Sequence, residues 1–254
     1  MLGITGGDPA FKNDDGSAHP GVTAALADFA AGRGTEHIVM TAVARSRLLV
    51  PVVAVLADQL ESAPAGSAEP AELAAPRPAI QGEKASEMAM PTLIGVDGRR
   101  AIPAFTSLES MSRWQSDVRP VPVTALAIWQ SACADSAAVV IDVAGPVPFA
   151  VEGARLAALA RGEAPPQPFA DPDVHEVVAA VLASHLDVAS FELQPDDDGH
   201  DMAIVLVLTP QAEAEGAPGV AQLGAEIADA VMARLGGRLR RGVAIWLGSH
   251  SDVS

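Results

Sequence analysis

Apolar residues in this chain recur first at helical spacing. Residues 24–31 are rich in alanine and predict a short helix. After Thr35 the positions Ile38, Val39, Ala42 and Val43 share one face, so Thr35 is read as the N-cap of a helix reaching Arg47. Residues 48–56 change the rhythm to an unbroken run of Leu, Val and Ala, the pattern of a buried strand, with a defect expected at Pro51. Residues 61–82 hold Ala, Pro, Glu, Ser and Gly with little that can pack, and are expected to be a long disordered loop. Patterning then resumes. Residues 90–96 predict a strand, Asp97-Gly98 a hairpin turn, and residues 100–105 the returning strand. Ser107 opens a short helix through Trp114, and residues 119–123, with prolines at alternate positions, read as an edge strand or connector. Residues 125–134 have helical spacing, 137–143 form a strand broken by Gly145-Pro146, 149–151 are extended, and 152–161 form a helix.

A second pattern follows a proline-rich linker at residues 163–172. Asp173 is expected to cap a helix running to about His185, followed by a strand at 188–193 and an acidic turn at 195–200. A strand at 202–208, a helix at 220–235 closed by Gly236-Gly237 and a strand at 243–247 complete the chain. The fold class expected is α/β in the α+β sense. A flexible stretch at residues 1–20 precedes a mixed-sheet N-terminal domain at 21–162, and a smaller α-β-β-α-β domain occupies 173–254.

Composition narrows the setting. The net charge is −16, a field that repels phosphate backbones and anionic lipid, so neither nucleic acid nor membrane is expected as a partner. The arginines Arg234, Arg238, Arg240 and Arg241 follow a helix end, where cations complement the helix dipole. Cys133 is the one cysteine, which removes disulfides and thiolate clusters, and its Ala, Leu, Ile and Trp129 neighbours predict a buried side chain. The first residues lack the basic and apolar segments of a signal peptide, and the most apolar early stretch is shorter than the roughly 20 residues that span a bilayer. A cytoplasmic protein is expected. Arginine far outnumbers lysine, the usage of a high-GC bacterium.

The ordered set EKASEMAMPTLIGVDGRRAIPAFTSLESMSRW, RPVPV and VVIDVAGPVPF within residues 83–148, with SRLLVPVVAV upstream, resembles the SseB family in the form common in actinobacteria. The resemblance covers roughly residues 20–162, and the order of elements in 172–254 is similar to the smaller domain that often accompanies it. The family name refers to enhanced serine sensitivity. The resemblance implies a cytoplasmic α/β protein and brings no catalytic set or cofactor with it.

The residues themselves offer few candidates. Phe105, Thr106 and Ser107 lie between a strand and a helix start, where amides and hydroxyls could hold a small anion; equally, Phe105 fills the core while Thr106 or Ser107 caps the helix. Lys84, beside Glu83 and Glu87, is either a ligand contact or half of a surface ion pair. Arg119 and Asp142 could meet across neighbouring elements, as a structural pair before an acid/base one. His175 and His185 share a predicted helix but lie too far apart for one metal ion, and Asp196, Asp197, Asp198 and Asp201 lack the alternation of a calcium loop. No cofactor motif or nucleophile motif occurs. Two functions remain open: a non-enzymatic interaction or regulatory module with a protein partner or a second copy, and a binder or weak enzyme for an anionic or amino-acid-like molecule.

Overall fold

The computed structural model describes residues 11–56, 86–95, 98–214 and 220–248. Two helices open it. Helix α1 (Pro20–Ala30) starts on Pro20, preset for a first turn, after His19, whose ring accepts from the Gly21 amide. Helix α2 (Glu36–Val43) is capped as expected by Thr35, which accepts from Ile38 N, but it stops at Val43 rather than at Arg47. Arg47 already belongs to β1 (Arg47–Leu56).

Strand β1 joins the first layer together. It runs antiparallel to β2 (Ser86–Ala89) over residues 53–56 and to β5 (Arg119–Thr124) over residues 47–52. The defect expected at Pro51 is absent, because Pro51 stands opposite Pro120 in an unbroken register. Leu49 exchanges both backbone bonds with Phe105, each 2.8 Å, so odd positions of β1 point their amides away from β5. The Pro51 nitrogen therefore falls between the Phe105 bridge and the start of the β2 ladder at Val53, where no donor is required. Strand β5 is an edge, and tolerates its prolines for the same reason.

Of the strand expected at residues 90–96 only Leu93–Ile94 is strand, β3, after Pro91, while β2, which ends at Ala89, precedes that range and was not expected. The hairpin turn is closed by Gly98 N to Gly95 O (2.9 Å) and Gly95 N to Arg99 O (2.8 Å), with Gly98 at φ 79° as the left-handed residue such a loop requires. Strands β3, β4 (Arg100–Ala104), β6 (Ala138–Ile141) and β7 (Phe149–Val151) form a second sheet in that order, in which β4 and β6 are parallel. Helix α3 (Leu108–Trp114) follows β4, and helix α4 (Ala125–Ala134), capped by Thr124, leads into β6. Helix α5 (Gly153–Ala160) closes this part.

Helices α1, α2, α4 and α5 bury one apolar cluster against β1, β4, β6 and β7, with Phe29, Met40, Leu48, Ile128, Trp129 and Ile141 among its members. Leu49, Phe105, Met111 and Val118 pack on the opposite face of β1, which explains the unbroken apolar run. Cys133 departs from expectation: it lies on the exposed face of α4, one position beyond buried Ala132. Helical spacing, not the apolar company of its neighbours, decides its exposure.

Beyond a short 3-10 turn (Pro168–Ala170), helix α6 runs from Pro172 to Leu182 and is capped by Asp171, not Asp173. His185 lies beyond it, so the two histidines share no helix. Strands β8 (Val188–Gln194) and β9 (Met202–Leu208) form a hairpin, followed by the unanticipated helix α7 (Pro210–Ala214), helix α8 (Val220–Leu235) and β10 (Val243–Gly248). The sheet order is β10-β9-β8, with β9 and β10 parallel across α8. Its buried cluster, including Val178, Ile204, Leu206, Ile227 and Val231, shares no residue with the first.

Candidate functional site

The carboxyl ends of the parallel strands β4 and β6 bring Thr106 and Asp142 together. Asp142 N donates to Ala104 O at 2.9 Å, and the buried Asp142 carboxylate accepts from Thr106 N at 2.9 Å and Thr106 Oγ1 at 2.6 Å. Asp142 holds φ 49°, the left-handed region that Asp tolerates better than most residues. Ser107 caps α3 by accepting from Ser110 N at 3.1 Å, and its hydroxyl lies 3.0 Å from that of Ser110. Phe105 is fully buried against Trp114.

Residues 11–19, expected to be flexible, lie across this end. Gly16 O accepts from Leu108 N at 2.8 Å. Arg47 donates to Asp14 Oδ2 (2.6 Å), Thr106 O (2.9 Å) and Ser17 O (2.5 Å). The amides of Thr106, Leu108 and Ser110 thus all donate within the chain. Arg119 is exposed at the start of β5, while Asp142 takes both its bonds from Thr106, so the expected pairing of these two gives way to a different one. Lys84 lies outside the described residues.

Buried charges gather elsewhere, where helices α2, α5 and α6 meet the turn after α8. Glu36 is 3% exposed, Arg155 2% and Asp171 1%. Arg155 donates to Glu36 Oε1; Arg238 Nε donates to Glu36 Oε2 (3.1 Å), and its terminal nitrogen to Asp171 Oδ2 (2.5 Å). Burial, and next the like charge of Arg238, push the Arg155 guanidinium down to about 10, with Asp171 and Asp173 opposing. Asp173 caps the neighbouring helix: its Oδ2 accepts from Ala154 N at 2.9 Å, and a Cβ on Gly153 would stand 2.1 Å from that oxygen. Arg240 covers the Phe29 ring at 4.8 Å. Arg238 and Arg240, read in the sequence as a basic patch at a helix end, serve this seam, and no local signal marked Glu36 or Arg155.

The acidic turn is closed on itself. Asp196 Oδ2 accepts from His200 N at 2.8 Å, which holds its carboxyl below the usual range. Among the described residues no group of three or more His, Cys, Asp or Glu is placed to hold a metal ion. No described helix is long and apolar enough to cross a membrane.

The C-terminal sheet has two edge strands among the described residues. Its edge β8 is interrupted by a register shift at Val188/Ser190 and carries Glu192. The other edge, β10, has neither charge nor proline, and exposes Trp246 at 50% and Leu247 at 54%. Alternation along β10 places these two side chains on opposite faces. Beside Leu247, a groove of about 600 Å³ runs between β10 and the small residues Ala221, Gly224, Ala225 and Ala228 of α8.

Residues 22–158, more than half the chain, match the family described as SseB protein N-terminal domain. The chain belongs to the SseB family. No curated protein and no solved structure matches it. The SseB match runs from α1 into α5 and so contains Thr106, Ser107 and Asp142, together with Glu36 and Arg155. Asp171, Arg238 and the whole β10-β9-β8 sheet lie beyond it. Within the SseB part, the Asp-Val-Ala-Gly segment at 142–145 has a backbone reason. Gly145 N donates to Asp142 O at 2.7 Å, and a Cβ on Gly145 would sit 2.9 Å from that of Asp142.

Proposed function

We propose that this SseB-family chain is a cytoplasmic, non-enzymatic interaction module, and that it docks a protein partner or a second copy of itself along β10. The observation that carries this reading is the edge itself: among the described residues no strand pairs with the outer side of residues 243–248, which carry neither charge nor proline and expose Trp246 and Leu247. Edge strands of this kind invite a further strand, and on a chain of net charge −16 an uncharged strip is where another acidic chain meets least repulsion. We also propose that the chain divides at residues 163–172 into an SseB-like N-terminal unit and a smaller C-terminal one; the two separate apolar clusters support this.

The other reading places a small anionic or amino-acid-like ligand at Phe105, Thr106 and Ser107, with Arg119 or Lys84. It would require displacing Gly16 O from Leu108 N and Asp142 from Thr106, so the edge is the better candidate. The test is light scattering of the full chain, alone and after incubation with extract of its native host. The wild type is expected to form a dimer or a defined complex, and the variant Trp246→Lys/Leu247→Lys to remain free. A wild type that stays monomeric and unbound, or a variant that associates equally well, would overturn the proposal.

A further inference from the structure

The seam between the two parts is ionic at its centre. Glu36 and Arg155 come from α2 and α5, while Asp171 and Arg238 come from the start of α6 and the turn after α8. The four make two acid–arginine pairs, Arg155 with Glu36 on one side and Arg238 with Asp171 on the other. Only the bonds from Arg238 Nε to Glu36, at 3.1 and 3.3 Å, join the pairs. The cluster is therefore neutral, and separating the two sides leaves each with a complete pair that water can reach. Removing one member has the opposite effect. It strands a buried charge, and the penalty for an uncompensated buried ion is larger than the worth of the pair itself.

Around this centre the contacts are few and polar. Asp173 Oδ2 accepts from Ala154 N at 2.9 Å, His37 Nδ1 lies 3.4 Å from Pro166 O, and Arg240 covers Phe29. Neither apolar cluster extends across. We infer that Glu36, Arg155, Asp171 and Arg238 form an electrostatic latch between two separately packed units, so that losing Glu36 or Arg238 opens the seam while both units stay folded. This rests on the division at residues 163–172 proposed above. Without Glu36, Arg155 is left buried beside Arg238, and its Nε already lacks a partner. Without Arg238, Asp171 is left buried without its salt-bridge partner, keeping only the cap bond from Asp173 N.

Limited trypsin digestion of the full chain reads the open state, because Arg161 lies at the end of α5 where the connecting segment begins. Cleavage after Arg161 should rise by about tenfold or more in Glu36→Ala and in Arg238→Ala, with far-UV circular dichroism unchanged, since cleavage follows the population of the opened form. The double variant Glu36→Met/Arg155→Met removes a whole pair and strands no charge, so its cleavage should stay within about twofold of the wild type. Unchanged cleavage in both single variants would overturn the latch. Cleavage accompanied by loss of circular dichroism would overturn the division into units instead. A double variant as open as the single ones would show that lost packing, not stranded charge, controls the seam.

Discussion

Thr106 and Asp142 show how a functional suspicion and a structural role can occupy the same atoms. The buried carboxylate of Asp142 has two donors, both from Thr106, and it ties the end of β4 to the end of β6. Thr106→Val should leave it short of one, at a cost of about 1–3 kcal/mol by urea denaturation, while Thr106→Ser keeps both bonds and should cost well under half of that. Asp201 is a second residue-scale case. Burial pushes its carboxyl up, against the Arg241 amide that bonds Oδ2 at 2.7 Å, and Oδ1 has no partner. An acid whose folded value is raised costs stability once it ionises, so the cost is absent below the ordinary value of 3.8 and is fully present above the raised one. Asp201→Asn should therefore melt higher than the wild type at pH 7, and the difference should vanish as the pH falls toward 3.8, as scanning calorimetry can check. The sequence singled out Thr106, Ser107 and Asp142 but offered Arg119 as a possible partner of Asp142 and not Thr106, because which loop ends meet depends on strand order rather than on composition.

At the scale of elements, caps and periods were the most legible features. Helices Ala125–Ala134 and Val220–Leu235 and strand Met202–Leu208 have the limits read from the sequence, because helical spacing, a Gly-Gly stop and an apolar run are local signals. Ser107 is the clearest cap, accepting from Ser110 N at 3.1 Å. Ser107→Ala should lower stability by about 1 kcal/mol, or roughly 2–4 °C in Tm for a chain of this size, measured by thermal melting. Two errors at this scale share a cause. Pro51 was expected to leave a defect in its strand, and Asp173 to cap its own helix. In the fold, Pro51 faces Pro120 where no donor is needed, and Asp173 turns to the start of α5, leaving the cap of α6 to Asp171. In both, the decisive partner is distant in the chain.

Across the whole molecule, an acidic chain with one exposed cysteine and no recognisable cofactor motif exposes apolar side chains on the edge strand β10 and buries its charges where α2, α5 and α6 meet the turn after α8. If β10 docks a strand and the latch governs how the two parts sit, the two events are separable: Trp246→Lys/Leu247→Lys should change association without altering cleavage after Arg161. The amino-acid sequence by itself determined the α+β class, most element limits, the family and the acidic field, since propensity, periodicity and charge act within a few residues or as plain sums. Tertiary structure decided the pairing of Pro51 with Pro120, the bond from Thr106 to Asp142 and the ion cluster that joins Glu36 to Arg238. Those depend on which distant surfaces are buried together, and burial is what turns an ordinary glutamate or arginine into a residue that must find a partner.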